Sequence, residues 1–382
     1  ASDVYKRQEF VETPFYRVLS TIGEKGATFE GEWRAVKGSK WFESFDLYKE
    51  NGFKEKEKAE ELIRYLSNSE SDASQPLTCQ IVSIEKKKEK KNPPLLFNLA
   101  EIQNECSKRF KISPDETLRI IQELYEKKLV TYPRTDARVL STAVAKEIHK
   151  NLNGLMQYEP AKPYLQDIVK FGSYKGLEKT RYVNDKQITD HYAIIPTGQG
   201  MGALKGLPNL SQRVYDVIVR RFLSIFYPPA VYQKVSIVTK IKEESFFSSF
   251  KVLAEEGYLK VTGVPGRKND NNDNADSTED KDTDADFFAR IQSLKKGMTL
   301  PVQSLDIKEG KTSPPKRYNS GSLILAMENA GQLIEDEELR AQIKGSGIGT
   351  SATRGEILKK LFNNKYLALN KKTQIVTPTM LG

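Results

Sequence analysis

Within "KKLVTYPRTDARVL" the residues Tyr132 and Arg134 stand two apart with Pro133 between them, flanked by Thr131, Thr135 and Asp136. A tyrosine hydroxyl, with a pKa of about 10, is a poor nucleophile at neutral pH unless its anion is stabilised. A fixed guanidinium supplies that stabilisation and also forks onto phosphate oxygens. If the segment is a strand, side chains two apart share one face, so Tyr132 and Arg134 would meet one ligand. Pro133 donates no ladder hydrogen bond and suits an edge beside a cleft. The chemistry this allows is a phenol held against a phosphate. A surface strand with ordinary tyrosine packing is the competing reading of the same residues.

Two further stretches carry groups of the right type. His191 lies in "ITDHYAIIPTG", before a short apolar run and the Pro196–Thr197 pair. It could donate to a phosphate or polarise water, or it could be a satisfied structural histidine. "GSGIGTSATRGEI", residues 345–357, is a glycine-rich turn that enters a helix, with Thr350, Ser351 and Thr353 at the entry. Amides and hydroxyls at a helix N-terminus favour an anion. A plain capped helix start is the alternative, and the nucleotide-binding pattern GxxxxGK[ST] is absent. Arg354 opposes the helix dipole in the first turn, which a phosphate contact would explain.

These residues need elements to hold them. "FNLAEIQNECSKRF" places Leu99, Ile102, Cys106 and Phe110 on one helical face. "ISPDETLRIIQELYEKK" opens with Ser113 as N-cap, Pro114 at the first helical position and Glu116 to complete a capping box. Its core face would be Leu118, Ile121, Leu124 and Tyr125, and it runs into the Tyr132 strand. Helix, turn, helix, then hairpin is the outline of a winged-helix unit. A looser copy follows in "ATRGEILKKLFNNKYLALNKKTQIVTP", with Ile357, Leu358 and Leu361 inward. Strand-like runs fill residues 10–90, around a helix with Ala59, Leu62, Ile63 and Leu66 on one face, and return at 229–262. If the two sets pair, the helical part is an insertion, and Pro93–Pro94 and Pro228–Pro229 lie side by side as hinges.

The chain has 382 residues, enough for two or three domains, and a net charge of +9. Residues 269–286 hold eight acidic residues and one lysine, so they carry −7 and the remaining chain +16. A basic body with one acidic loop suits a polyanion partner. The acidic stretch reads as a disordered loop, since an EF-hand begun at Asp270 would find Ala275 and Lys281 where Gly and Glu are required. Two cysteines, Cys79 and Cys106, and two histidines, His149 and His191, exclude a disulfide framework and make structural zinc a poor expectation. No run of 18 apolar residues and no signal-peptide core occur, so a cytosolic or nuclear protein is expected.

Together these blocks resemble type IA DNA topoisomerases, and within them the bacterial topoisomerase III branch. "PPLLFNLAEIQNECSKRFKISPDETLRIIQELYEKKLVTYPRTDARVLS" is similar to that family's active-site block. "ITDHYAIIPTG" is similar to a second, and "SGSLILAMENAG" with "GIGTSATRGEILKKLF" to a third, with Ser351 where proline is more usual. The resemblance implies a multidomain α+β protein with a toroidal core. A β-rich arch would span 9–94 and 227–265, an inserted winged-helix-like domain 95–226, an acidic loop 266–288, and a C-terminal helical DNA-binding domain 289–382. Residues 1–8 match poorly and are expected to be foreign to the chain or poorly ordered.

The resemblance further implies that Tyr132 attacks a single-strand phosphodiester and holds the 5′-phosphoryl end, without ATP. Arg134 would stabilise the charge at the scissile phosphate and His191 would hold backbone phosphate. Asp136, Thr197, Thr350, Thr353 and Arg354 would complete the grip on single-stranded DNA. Mg²⁺ is implied, with its ligands in an N-terminal Toprim domain expected to precede residue 1. The C-terminal "TPTMLG" falls inside an expected hairpin, so the chain reads as a fragment, inactive without that domain. A bacterial cytoplasmic, nucleoid-associated setting, a helicase partner and no membrane partner are further implications. A non-catalytic winged-helix protein that binds single-stranded DNA is the rival reading. A tyrosine recombinase, which attaches the 3′ end, is disfavoured by the two histidines and the strand context of Tyr132.

Overall fold

The computed structural model describes residues 10–67, 76–265, 285–333, 340 and 347–382. Eight strands among them form one antiparallel sheet: β1 (Pro14–Ile22), β2 (Phe29–Arg34), β3 (Leu47–Lys49), β4 (Gly52–Phe53), β5 (Thr78–Lys91), β6 (Ala230–Ile241), β7 (Glu244–Glu255) and β8 (Thr299–Lys311). Their order is β2-β7-β6-β5-β8-β1-β4-β3, and β2 also pairs with β1. Six of them therefore close a circuit of pairings, with β8 bridging β5 and β1. Closure leaves few open edges. In β1 the buried residues are Val18, Ser20 and Ile22, the period of two that a strand imposes.

The core behind the sheet is aromatic. Trp33 stacks on Phe53 with centroids 4.9 Å apart and stands edge-on to Trp41 at 6.3 Å. Helix α1 (Lys56–Ser67) covers it with Ala59, Leu62 and Leu66. Glu244 is fully buried there. Its carboxylate accepts from Trp33 Nε1 (2.7 Å), Ser39 Oγ (2.7 Å) and the Lys40 amide (2.8 Å). Three donors make a buried carboxylate tolerable.

The helical part leaves and rejoins the sheet at one place. Lys91, the last residue of β5, pairs with Ala230, the first of β6. The prolines that interrupt both strands, Pro93–Pro94 and Pro228–Pro229, thus follow and precede adjacent strand ends. Between them lie α2 (Leu99–Phe110), α3 (Pro114–Glu126) and α4 (Asn209–Ser224), around a separate core that includes Ile102, Cys106, Ile121, Leu124, Tyr215 and Phe222. Asn98 caps α2 and Ser113 caps α3, each side chain accepting the amide three residues on.

Several expectations are corrected by the fold. The Tyr132 segment is no strand: past α3 the chain forms only isolated bridges, Val130 to Pro196 and Leu140 to Val183, and the hairpin of a winged-helix unit does not follow. Pro196 has no N–H to extend a ladder. The Thr131 hydroxyl instead donates to Ala193 O and accepts from the Ile195 amide, both at 3.0 Å. Tyr125, expected in the core, is 38% exposed. The expected loop 266–288 lies outside the described residues up to 284. From there α5 (Ala285–Ser293) is helical and buries Phe288 and Ile291 against the sheet. The expected boundary at 289 also moves, because β8 belongs to the sheet and not to a C-terminal helical domain. Its partners in β1 lie almost 300 residues away, beyond any local signal.

The C-terminal part contains α6 (Ser320–Glu328), α7 (Arg354–Asn363) and a hairpin of β9 (Leu367–Leu369) and β10 (Val376–Pro378). Helix α6 packs on α2. Gly321 makes this possible, since a Cβ there would meet Asn104 Cα at 2.6 Å. Ala100 of α2 shares a small core with Ile324, Met327 and Leu358.

Candidate active site

Helix α3 delivers the tyrosine. It ends at Glu126, Lys128 takes a left-handed φ of 63°, and Leu129 and Val130 are buried. Gly200 faces this turn so closely that a Cβ would meet Lys127 O at 2.3 Å. The chain then runs beside 193–197: the Thr131 amide donates to Ile195 O (3.0 Å) and the Thr197 amide to Leu129 O (3.0 Å). Tyr132 is left half-buried at the rim of a cleft of about 570 Å³, with Tyr125, Lys128, His191, Tyr192 and Thr197 among its lining. The Tyr132 ring lies 4.3 Å from the exposed His191 ring, inclined by 38°, and 5.4 Å from the Tyr125 ring, nearly edge-on. Burial raises the Tyr192 hydroxyl above its ordinary pKa, so it stays a donor at neutral pH.

The expected site residues fall into two groups. Tyr132, His191 and Thr197 line the cleft together. The Thr197 hydroxyl donates to Lys128 O (2.5 Å) and receives the Gln199 amide (3.0 Å), so it braces the turn. Arg134 turns the other way, toward the C-terminal segment, where Nη1 donates to Ala352 O at 3.4 Å. The shared strand face expected for Tyr132 and Arg134 is therefore not formed. Thr135, next after Arg134, is buried, its hydroxyl donating to His191 O (3.0 Å).

Asp136 and Arg354 form the second group. Arg354 is 5% exposed, and its guanidinium reaches Asp136 Oδ1 (3.1 Å), Ile348 O (3.2 Å) and Gly349 O (3.2 Å). Arg354 is thus satisfied by protein and braces the glycine turn, where the sequence had suggested a phosphate contact. Thr350 and Thr353 remain exposed, with hydroxyls 3.2 Å apart at the start of α7. Gly345 and Ser346 of that turn lie outside the described residues.

Sequence reasoning missed Asn98 and Glu328. Asn98 Nδ2 donates to Asp136 O (3.1 Å) and Glu328 Oε1 (2.7 Å), tying both groups to α6. Asn98 three residues before Glu101 was a readable N-cap signal. Nothing local marked Glu328. Burial holds its carboxyl above the ordinary value, against the lowering effect of Arg354.

The site so built is a half-buried tyrosine beside an exposed histidine at an open cleft, with Lys128 and Thr197 in its lining. A family model described as DNA topoisomerase matches residues 4–382, and the chain belongs to that family, the type IA DNA topoisomerases. It is 35% identical over 308 residues to DNA topoisomerase 3 of Bacillus subtilis (strain 168), covering 79% of this chain and 40% of that protein. The corresponding protein of Bacillus licheniformis is 36% identical over 301 residues, covering 78% of this chain and 39% of that protein. The fold matches full-length topoisomerase I from Thermotoga maritima with a TM-score of 0.61 and 20% identity, over 99% of this chain and 51% of that one. The chain spans about two fifths of the length of the curated relatives it matches.

Proposed function

We propose that this chain supplies the reactive tyrosine and part of the DNA grip of a topoisomerase III-like enzyme. Tyr132 Oη would attack the phosphorus of a single-stranded backbone. The new Oη–P bond replaces the P–O3′ bond, the 3′ oxygen leaves and takes up a proton, and the 5′-phosphoryl end stays on the protein. Resealing reverses these steps, and the ester itself carries the energy, so no nucleotide is consumed. The observation that carries this reading is the placement of Tyr132 against His191 at an open cleft. His191 would hold a backbone phosphate there. Thr350 and Thr353 would bind the strand from the exposed start of α7, with Arg134 between the two groups.

Among the described residues no three His, Cys, Asp or Glu side chains come together to hold a metal ion. The Mg²⁺ that such an enzyme uses would, on this reading, be held by a Toprim domain. By itself the chain should bind single-stranded DNA and relax supercoils little or not at all. Among the described residues no helix is long and apolar enough to cross a membrane. A nucleoid setting and a helicase partner belong to the same proposal.

The test places residues 10–382 into Bacillus subtilis DNA topoisomerase 3 in exchange for the matching segment. The hybrid is mixed with a 3′-labelled single-stranded oligonucleotide and then denatured. Label should stay on the protein, and Tyr132→Phe should lower it by about a thousandfold or more. Retention of a 5′ label instead would point to 3′ attachment. Adduct formation undiminished in Tyr132→Phe would end the assignment and leave a DNA-binding role.

A further inference from the structure

Asn98 is 1% exposed and has every polar group of its side chain engaged. Oδ1 accepts the Glu101 amide (2.9 Å), while Nδ2 donates to Asp136 O (3.1 Å) and to Glu328 Oε1 (2.7 Å). One buried amide therefore joins the tyrosine segment to the end of α6, 230 residues further along the chain. Other contacts converge on the same few residues. The Leu99 amide donates to Thr135 O (3.1 Å), Arg354 pairs with Asp136, and the Ile348 amide donates to Met327 O (2.7 Å). Glu328 sits where charge is disfavoured, and its environment includes Arg354, Asp136 and Glu101. A carboxylate kept in such a place must be held by directed contacts, and loss of one partner leaves the other unsatisfied.

We infer that Asn98 and Glu328 are positioning residues for the segment 132–136, clamping it through Asp136 O against the C-terminal helices. Neither touches the tyrosine; both fix the backbone that carries it. The clamp is polar and lies beside the small Ala100–Ile324–Met327–Leu358 core, so it can part without exposing a large apolar face. That the clamped segment carries a reacting tyrosine rests on the function proposed for Tyr132; the clamp itself does not.

Amide hydrogen exchange on this chain without DNA tests it. The reporters are the amides of Leu99 and of Ala137, which donates to Thr135 Oγ1 at 3.1 Å. The β5–β6 ladder serves as the control for folding. Glu328→Ala should speed reporter exchange about tenfold, by loss of a hydrogen bond to a charged group. Asn98→Asp, which keeps the helix cap but loses both donors, should do the same. Glu328→Gln, which keeps the acceptor, should stay within about threefold of the parent. Unchanged reporters in the first two variants, with the ladder intact, would overturn the clamp. So would Glu328→Gln matching Glu328→Ala. In the hybrid enzyme Glu328→Ala should slow adduct formation while oligonucleotide affinity holds. A hybrid that forms no adduct while the exchange pattern stands would sink the proposed function and leave the clamp.

Discussion

Arg354 shows how a charge can mislead when only its neighbours in sequence are known. Its position at a helix start argues for a bound anion, yet the partner is Asp136, 218 residues earlier, with two carbonyls of its own turn. Removing it would leave the exposed Asp136 to water and free the turn. Arg354→Ala should therefore cost about 1–2 kcal/mol of stability in urea unfolding. Oligonucleotide binding measured well below the transition should weaken less than the stability loss suggests; a strong affinity loss with unchanged stability would restore the phosphate contact. The cysteines are simpler. Burial pushes Cys79 up to about 11 and Cys106 up to about 12. At pH 8 both stay thiols, so neither should react with a thiol reagent until the chain unfolds. Fast labelling of either in the native chain would contradict that burial.

Among the elements, α1 and α2 were legible from apolar spacing and α3 also from its Ser113 cap, since both signals are local. Ala59, Leu62 and Leu66, and then Leu99, Ile102 and Cys106, are buried as their spacing required. The strand expected at Tyr132 failed because its neighbour carries Pro196, which stops a ladder that β-branched composition alone would favour. Tyr125 looked like a core residue by spacing, but it lies at the end of α3, where the cleft opens. Of the candidate site, Tyr132 and His191 were readable from residue type and resemblance. The Asn98–Glu328 link was not, since it joins two helices from distant parts of the chain. In the sheet, Glu244 holds the 39–40 turn to Trp33. Glu244→Ala would leave the buried Trp33 Nε1 and the part-buried Ser39 hydroxyl and Lys40 amide without their acceptor, at a cost of about 2 kcal/mol or more. Chemical denaturation should show this, and a change within 0.5 kcal/mol, roughly the scatter of surface substitutions, would mean water replaces the carboxylate.

The whole molecule is assembled from chain segments out of sequence order. Residues 95–226 supply nearly all of a separate core between two paired strand ends, and β8 must reach β1 across 280 residues (Ile22–Val302) to 297 residues (Pro14–Lys311). Closing so long a loop is slow compared with pairing neighbouring helices. In pulsed exchange during refolding, amides of α2, α3 and α4 should be protected before those of β1 and β8. Simultaneous protection would mean the circuit of strands closes in the first event.

On a ribosome this order has a further consequence. A nascent chain that has emerged as far as residue 290 already contains every strand of the circuit except β8, the one between β5 and β1. Until the next twenty or so residues appear, two long strands present unpaired edges to which a second unfinished chain could pair.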